Sequence, residues 1–121
     1  MDTHLPILTV HVFKAQEIDD ATVYSPAISL VNAQSNGFFS IQLLLTGDGT
    51  LADLFYQVSI DGVNFLKPVS ADSIVTTFTA TSGTGSNGRD ILAFNPELAV
   101  AIKFGATVTG TATLSAMLCM Q

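Results

Sequence analysis

Apolar and polar residues alternate along most of this chain, which is the pattern of β-strands that bury one face. The run FFSIQLLL at 38–45 places every second residue from Phe39 to Leu45 on one face, with Ser40 and Gln42 on the other. In LFYQVSI at 54–60, the inward positions are Leu54, Tyr56, Val58 and Ile60. The run TVTGTATLSAML at 107–118 sets five hydroxyl-bearing residues against the inward set Val108, Ala112, Leu114 and Leu118.

Short strands are expected at several further places, separated by turn-forming residues. The candidates are residues 5–13, 27–33, 74–80, 89–94 and 98–104. The polar segment KAQEIDDATVY at 14–24 is expected to be either a short helix or a surface loop with a short strand. About eight short strands without a long helix predict an all-β chain. We expect a single domain over 1–121, an antiparallel, jelly-roll-like β-sandwich.

Composition indicates a surface that is poorly protected against association. Only 12% of the residues are charged, against roughly 25% in ordinary soluble domains, and 48% are apolar. We therefore expect a homo-oligomer that buries weakly charged faces. The alternative is a monomer with a face rich in Thr and Ser. No apolar run approaches the roughly 18 residues of a membrane-spanning helix.

The charge balance argues against nucleic acid and anionic membrane surfaces as partners. The formal net charge is −6, and the four cationic side chains are scattered singly along the sequence at Lys14, Lys67, Arg89 and Lys103. Phosphate backbones are bound by clustered cations. The start of the sequence, MDTHLPILTVHVF, is a poor match to a signal peptide, so synthesis in the cytoplasm without export is expected.

No motif in the chain predicts a catalytic residue, a cofactor or a metal. GTGSNG at 83–88 has the G-x-G-x-x-G spacing, but a short strand rather than a helix is expected to follow it. His4 and His11 fall on opposite faces of a regular strand. GDGTLAD at 47–53 is the best local candidate for Ca²⁺, yet it lacks the order of an EF-hand loop. The single cysteine, Cys119, is expected to be an inert packed thiol.

Phe38 and Leu44 are the candidates for a subunit contact. Because Phe38 and Phe39 are adjacent, a strand there must turn one ring away from its core. An outward Phe38 together with an outward Leu44 would form an apolar stripe on the second face. The alternative is that a second core layer or a covering loop buries them.

The stretch YQVSIDGVNF at 56–65 predicts a tight hairpin whose turn is Asp61-Gly62. Asp61 caps the turn through its side chain and Gly62 accepts a positive φ, so both are interpreted as structural turn residues. Ile60 is then expected to enter the core with Tyr56 and Val58. Phe65 is expected to anchor the returning strand.

Two stretches carry a resemblance to a known group of proteins. YQVSIDGVNFLKP at 56–68 and ELAVAIKFGATVTGTATLSAMLCMQ at 97–121 resemble small β-sandwich structural proteins of tailed bacteriophages and prophages. Phe65 stands where that group more often has Trp, and Lys103 where it often has Arg.

The resemblance implies a virion protein, either a capsid decoration protein or a head or tail accessory protein, without catalytic residues. It implies other virion proteins as partners, and a trimer is the first geometry to expect. The alternative function is a carbohydrate-binding β-sandwich module, which would need an exposed aromatic platform. The chain has no Trp and only two Tyr, and Tyr56 is expected in the core.

Overall fold

The computed structural model describes residues 8–30, 39–69 and 71–120, and within these ranges the regular structure is entirely β. Two strands are much longer than expected and five are short or of ordinary length. The strands are β1 Leu8–Tyr24, β2 Ile28–Ser29, β3 Phe39–Gly47, β4 Thr50–Ser59, β5 Val75–Phe78, β6 Arg89–Phe94 and β7 Ala101–Met120.

Strand β7 organises the sheet because four of the six other described strands pair with it. β3 and β4 lie end to end along one edge of β7, with β3 beside its second half and β4 beside its first half. β1 and β2 follow the opposite edge. β6 pairs with the outer edge of β3, and β5 with the outer edge of β4. All these pairings are antiparallel, and the sheet curls into a half-barrel.

The core fills the concave side of this curled sheet, where the inward residues of all the long strands meet. Phe104 at its centre is fully buried and packs edge-on against Phe94, with ring centroids 5.8 Å apart. Phe94 also contacts the rings of Phe39 and Tyr56. The other fully buried large side chains include Ile18, Ile41, Leu43, Leu45, Leu51, Leu54, Ile102, Leu114 and Leu118.

The all-β, antiparallel prediction is confirmed at this level, whereas the finer architecture differs. The described strands belong to one hydrogen-bonded sheet, so a two-sheet jelly-roll sandwich is not confirmed. The described residues form seven strands, whereas about eight were predicted for the chain. One reason is that the separate strands expected at 98–104 and 107–118 are parts of the single strand β7.

The prediction for residues 14–24 was wrong, because this segment is the second half of β1. Its polar composition suggested a loop or helix, but hydrogen bonds to β7 hold it as a strand from Gln16 to Tyr24. Local propensity is often overridden by such tertiary pairing. The strand remains irregular: its register shifts at three places, and Ala15 and Asp20 have positive φ. It pairs with β7 alone among the described strands, and the polar side chains from Lys14 to Thr22 are exposed.

The inward positions read from the alternation are largely confirmed. The core residues Phe39, Ile41, Leu43, Leu45, Leu54, Tyr56, Val108, Ala112, Leu114 and Leu118 are all buried. Val58 is half-buried. Ile60 is the error: its side chain is 79% exposed. Strand β4 ends at Ser59, so Ile60 belongs to a loop and the alternation no longer applies to it.

Candidate functional site

The loop after β4 is built around the carboxylate of Asp61. Its Oδ1 accepts hydrogen bonds from the Ser59 hydroxyl at 2.9 Å and from the backbone N–H groups of Val63 and Asn64, both at 2.8 Å. Its Oδ2 accepts one from the Asn64 side-chain amide at 2.8 Å. The Gly62 N–H donates to the Ser59 hydroxyl at 2.9 Å. The carboxylate is therefore an internal scaffold for the loop.

These hydrogen bonds also fix the charge state of Asp61. Donation from Asn64 and Val63, reinforced by the Ser59 hydroxyl, holds the pKa of Asp61 well below its usual range. Gly62 has a φ of +78°. The loop is wider than the expected two-residue turn, because the returning chain rejoins β4 through the backbone pair Val58 and Leu66.

Exposed aliphatic side chains concentrate at the end of the sheet where β4 ends and β7 begins. The hydrogen bond from Val100 N to Ser59 O, at 2.9 Å, joins the two segments that carry them. Their exposed fractions run from 39% for Val100 to 106% for Val69. We call these six residues the apolar end: Ile60, Val63, Leu66, Val69, Leu98 and Val100.

An open groove lies beside two members of the apolar end, Ile60 and Leu66. It has a volume of about 640 Å³ and is lined by Val58, Ile60, Asp61, Asn64, Leu66 and Pro68. The two polar residues in its lining already bond to each other within the loop. The groove therefore offers an apolar surface, and the polar side chains at its edge are already hydrogen-bonded within the loop.

A second group of side chains, on the outer face of the sheet, combines aromatic rings with lysines. Lys103 Nζ lies 5.3 Å from the ring centroid of Tyr24 and 4.8 Å from that of Phe65. Lys67 Nζ lies 5.3 Å from the ring centroid of Phe55. Phe55 in turn meets Tyr24 edge-on, with centroids 6.0 Å apart. We call Tyr24, Phe55, Phe65, Lys67 and Lys103 the lysine–aromatic cluster.

Gly105 makes room for this cluster. It pairs with Tyr24 of β1 on one side and with Phe55 of β4 on the other, so the three residues form one row across the sheet. A Cβ atom at Gly105 would lie 2.3 Å from Cζ of Phe55. The ring of Phe55 can therefore lie over β7 only because that position lacks a side chain.

A buried tyrosine connects the core with the loop before β7. The Tyr56 hydroxyl donates to Glu97 Oε1 at 2.8 Å. Burial, followed by this hydrogen bond and the charge of Glu97, raises the pKa of Tyr56 to about 12. Tyr56 is buried as expected, so it cannot belong to an exposed aromatic platform.

The remaining candidates from the sequence lie apart from these two surfaces. Phe38 and His4 fall outside the described residues. Leu44 is half-buried on the outer face, across from Arg89 and Ser115. It lines a cavity of about 200 Å³ together with His11 and Met117, and no carboxylate residue is part of that lining.

The structure shows a turn at the glycine-rich motif, and no metal-binding group among the described residues. The 83–88 segment is a turn closed by backbone hydrogen bonds from Ser86 N to Gly83 O and from Gly88 N to Ser82 O, and β6 follows it. No group of three His, Cys, Asp or Glu side chains that could hold a metal occurs among the described residues. Cys119 is a half-buried free thiol.

The lysine–aromatic cluster was missed by the sequence reasoning. Its members come from β1, β4, β7 and the hairpin return, and the part of β1 that holds Tyr24 was predicted to be a short helix or a surface loop with a short strand. One signal was present: Phe65 and Lys103 had been noted as departures from the virion pattern, and the structure brings these two side chains into contact.

Comparisons with protein-family models, curated proteins and solved structures found no match to this chain. Among the described residues, no helix is long and apolar enough to cross a membrane.

Proposed function

We propose that this chain is a non-enzymatic structural protein of a phage or prophage virion, a capsid decoration or head or tail accessory protein that assembles as a homo-oligomer. The apolar end is the observation that supports assembly into a homo-oligomer. The virion half is supported by the resemblance of residues 56–68 and 97–121 to small phage structural proteins.

The apolar end has the chemistry of a protein contact. Its six members are aliphatic, and the neighbouring charged group, Asp61, is satisfied by its own loop. Fully burying such a side chain stabilises by at least about 1.5 kcal/mol. Six on each subunit give a gain comparable with the roughly 4–15 kcal/mol that association costs. A symmetric contact that uses the apolar end of both copies would therefore favour an oligomer.

The low charge of the chain supports the same contact. With charged residues at only 12% of the sequence, little charge has to be desolvated when two copies meet. The groove beside Ile60 and Leu66 would receive side chains from the neighbouring copy.

Sedimentation velocity from about 1 to 100 µM tests the assembly. We expect the wild-type chain to sediment as an oligomer whose population grows with concentration. Leu66→Asp should sediment as a monomer, because a charge would be buried in the contact. Ile91→Asp is the matched control: Ile91 is equally exposed but lies on β6, away from the apolar end, and this variant should still assemble. A strictly monomeric wild-type chain at 100 µM would refute the assembly.

The virion role has its own test. Particles should be purified from a host in which the gene is expressed together with its neighbours, and the chain should be sought by mass spectrometry after extensive washing. We expect it at a fixed ratio to the major capsid or tail protein. Its absence from intact particles would refute the virion assignment and leave the assembly result standing.

A further inference from the structure

The lysine–aromatic cluster has a composition different from that of the apolar end. It contains three rings and two ammonium groups but no aliphatic residue. Tyr24 is 51% exposed and Lys67 is also exposed, so the cluster is open to solvent. Gln57 adds an amide, since it lies on the same face directly across from Lys103.

The two ammonium groups of the cluster have no carboxylate partner among the described residues; their contacts there are with rings. These two lysines are half of the four cationic side chains of a chain whose net charge is −6. Contact with ring faces restrains the lysine side chains without neutralising them. The cluster is thus a small cationic site on an acidic protein, and an anionic group is its complement.

Neutral hydrogen-bonding groups stand beside the charges. Within the described residues, the Tyr24 hydroxyl and the Gln57 amide have no hydrogen-bond partner. Aromatic surface together with a few convergent polar groups is typical of small-ligand sites. Ring faces and edges accept the C–H face of a sugar, while the amide and phenol can bond its hydroxyl groups.

We propose that the lysine–aromatic cluster binds an acidic saccharide, one that carries a carboxylate or sulfate group. Lys67 and Lys103 pair with the anionic group, and the exposed ring of Tyr24 provides the surface for the sugar ring. Two cations are too few to follow a nucleic-acid backbone. An acidic peptide is disfavoured because β7 is paired on both edges at Gly105, so no free strand edge is available there for main-chain hydrogen bonds.

The two tyrosines of the chain allow a direct test. Protein labelled with 3-fluorotyrosine should give two ¹⁹F resonances, one from exposed Tyr24 and one from buried Tyr56. Tyr24→Phe assigns them by removing one. The probes are sialyllactose and a galacturonate hexamer, with lactose as the neutral match and hexaglutamate as the acidic peptide.

We expect the acidic saccharides to shift the Tyr24 resonance with a Kd of about 1 mM and to leave Tyr56 unmoved. Lys67→Gln should raise that Kd about tenfold, since a charge-assisted hydrogen bond is lost. Lys14→Gln removes the same charge from an exposed position outside the cluster and should change the Kd less than twofold.

Three results would overturn the proposal. The first is no shift of Tyr24 with either acidic saccharide up to about 10 mM. The second is an equal effect of a control ligand. An equal effect of lactose would show that the acidic group is not needed, and an equal effect of hexaglutamate would show that the saccharide is not needed. The third is equal weakening by Lys14→Gln and Lys67→Gln, which would show a general charge effect. None of these readouts depends on the oligomeric state. Failure of saccharide binding can therefore be distinguished from failure of assembly.

Discussion

The apolar end and the lysine–aromatic cluster share one segment of chain yet differ completely in chemistry. On the segment that returns after the Asp61 loop, Leu66 belongs to the apolar end, whereas its neighbours Phe65 and Lys67 belong to the cluster. Successive residues of an extended chain point to opposite sides. A single short extended segment can therefore supply two surfaces, one for aliphatic contact and one for cation–ring contact.

The two surfaces also depend differently on the rest of the molecule. The apolar end is carried by loops, and its geometry rests on the hydrogen bonds to Asp61. The cluster is anchored on β1, β4 and β7, where Gly105 sets the position of Phe55. Substitutions can consequently damage both surfaces, or the cluster alone, or neither.

Replacing Asp61 by alanine is expected to have the largest effect, because it disturbs both surfaces. Asp61→Ala leaves the N–H groups of Val63 and Asn64 without their acceptor and releases the loop. We expect a lower Tm, together with loss of assembly and weaker saccharide binding. Calorimetry and sedimentation on the same samples measure this. Asp72→Ala, in an exposed loop position, is the matched control and should leave all three unchanged.

Acid should reproduce part of this effect in the wild-type chain. The pKa of Asp61 is lower in the folded protein than in the unfolded chain, so its contribution to stability is fully present above about pH 4. It is lost progressively as the pH falls below that value. The difference in Tm between the wild-type chain and Asp61→Ala should therefore shrink between pH 4 and pH 2. A constant difference would contradict the role of the ionised carboxylate.

Gly105→Ala should separate the two surfaces. The added methyl group collides with the ring of Phe55 and pushes it off β7, which should cost roughly 1–3 kcal/mol of unfolding free energy. We expect loss of the Tyr24 response to acidic saccharides with assembly retained. Gly85→Ala, in the exposed 83–88 turn, serves as the control for a glycine substitution. Loss of assembly in Gly105→Ala would show that the two surfaces are not independent.

The smallest effect is expected at Tyr56. Its link to the apolar end is the hydrogen bond to Glu97, the residue before Leu98. Tyr56→Phe removes the hydrogen bond to Glu97 and should lower the unfolding free energy by about 1 kcal/mol near neutral pH. Both surfaces should keep their binding properties. Urea unfolding of the two proteins side by side measures the difference.

Alkaline pH provides a second check on this contact. The folded-state pKa of Tyr56 is raised to about 12, so the protonated form is favoured by folding. Its contribution is fully present below about pH 10 and is lost as the pH rises through about 12. The stability advantage of the wild-type chain over Tyr56→Phe should disappear across that interval. An advantage that persists above it would contradict the raised pKa.

Much of the inward face could be predicted from the sequence, because burial of one face imposes the two-residue period directly. That period identified the core positions of β3 and β7, but it carries no information about strand length or partners. Residues 14–24 show the limit: their side chains are polar, and the hydrogen bonds that make them a strand come from β7, far away in sequence.

The candidate surfaces were harder to predict for the same reason. The alternation of β4 predicts Ile60 as an inward residue, but the strand ends one residue earlier, at Ser59. The hydrogen bonds around Asp61 mark that end, and they cannot be seen in the alternation. The cluster depends on cross-strand register, which brings Tyr24 and Phe55 to either side of Gly105. A register is a property of pairs of strands and cannot be read from either strand alone.

The central position of β7 bears on how the chain is made as well as on how it is held together. β7 follows all the other described strands in chain order, and β1 pairs with it from Leu8 opposite Met120. Until β7 leaves the ribosome, β1 has no pairing strand, and β3 and β4 have only β6 and β5. Closing such long loops is slow. The sheet should thus form only once β7 has been made, in one cooperative step, so nascent chains that still lack β7 depend on protection from aggregation.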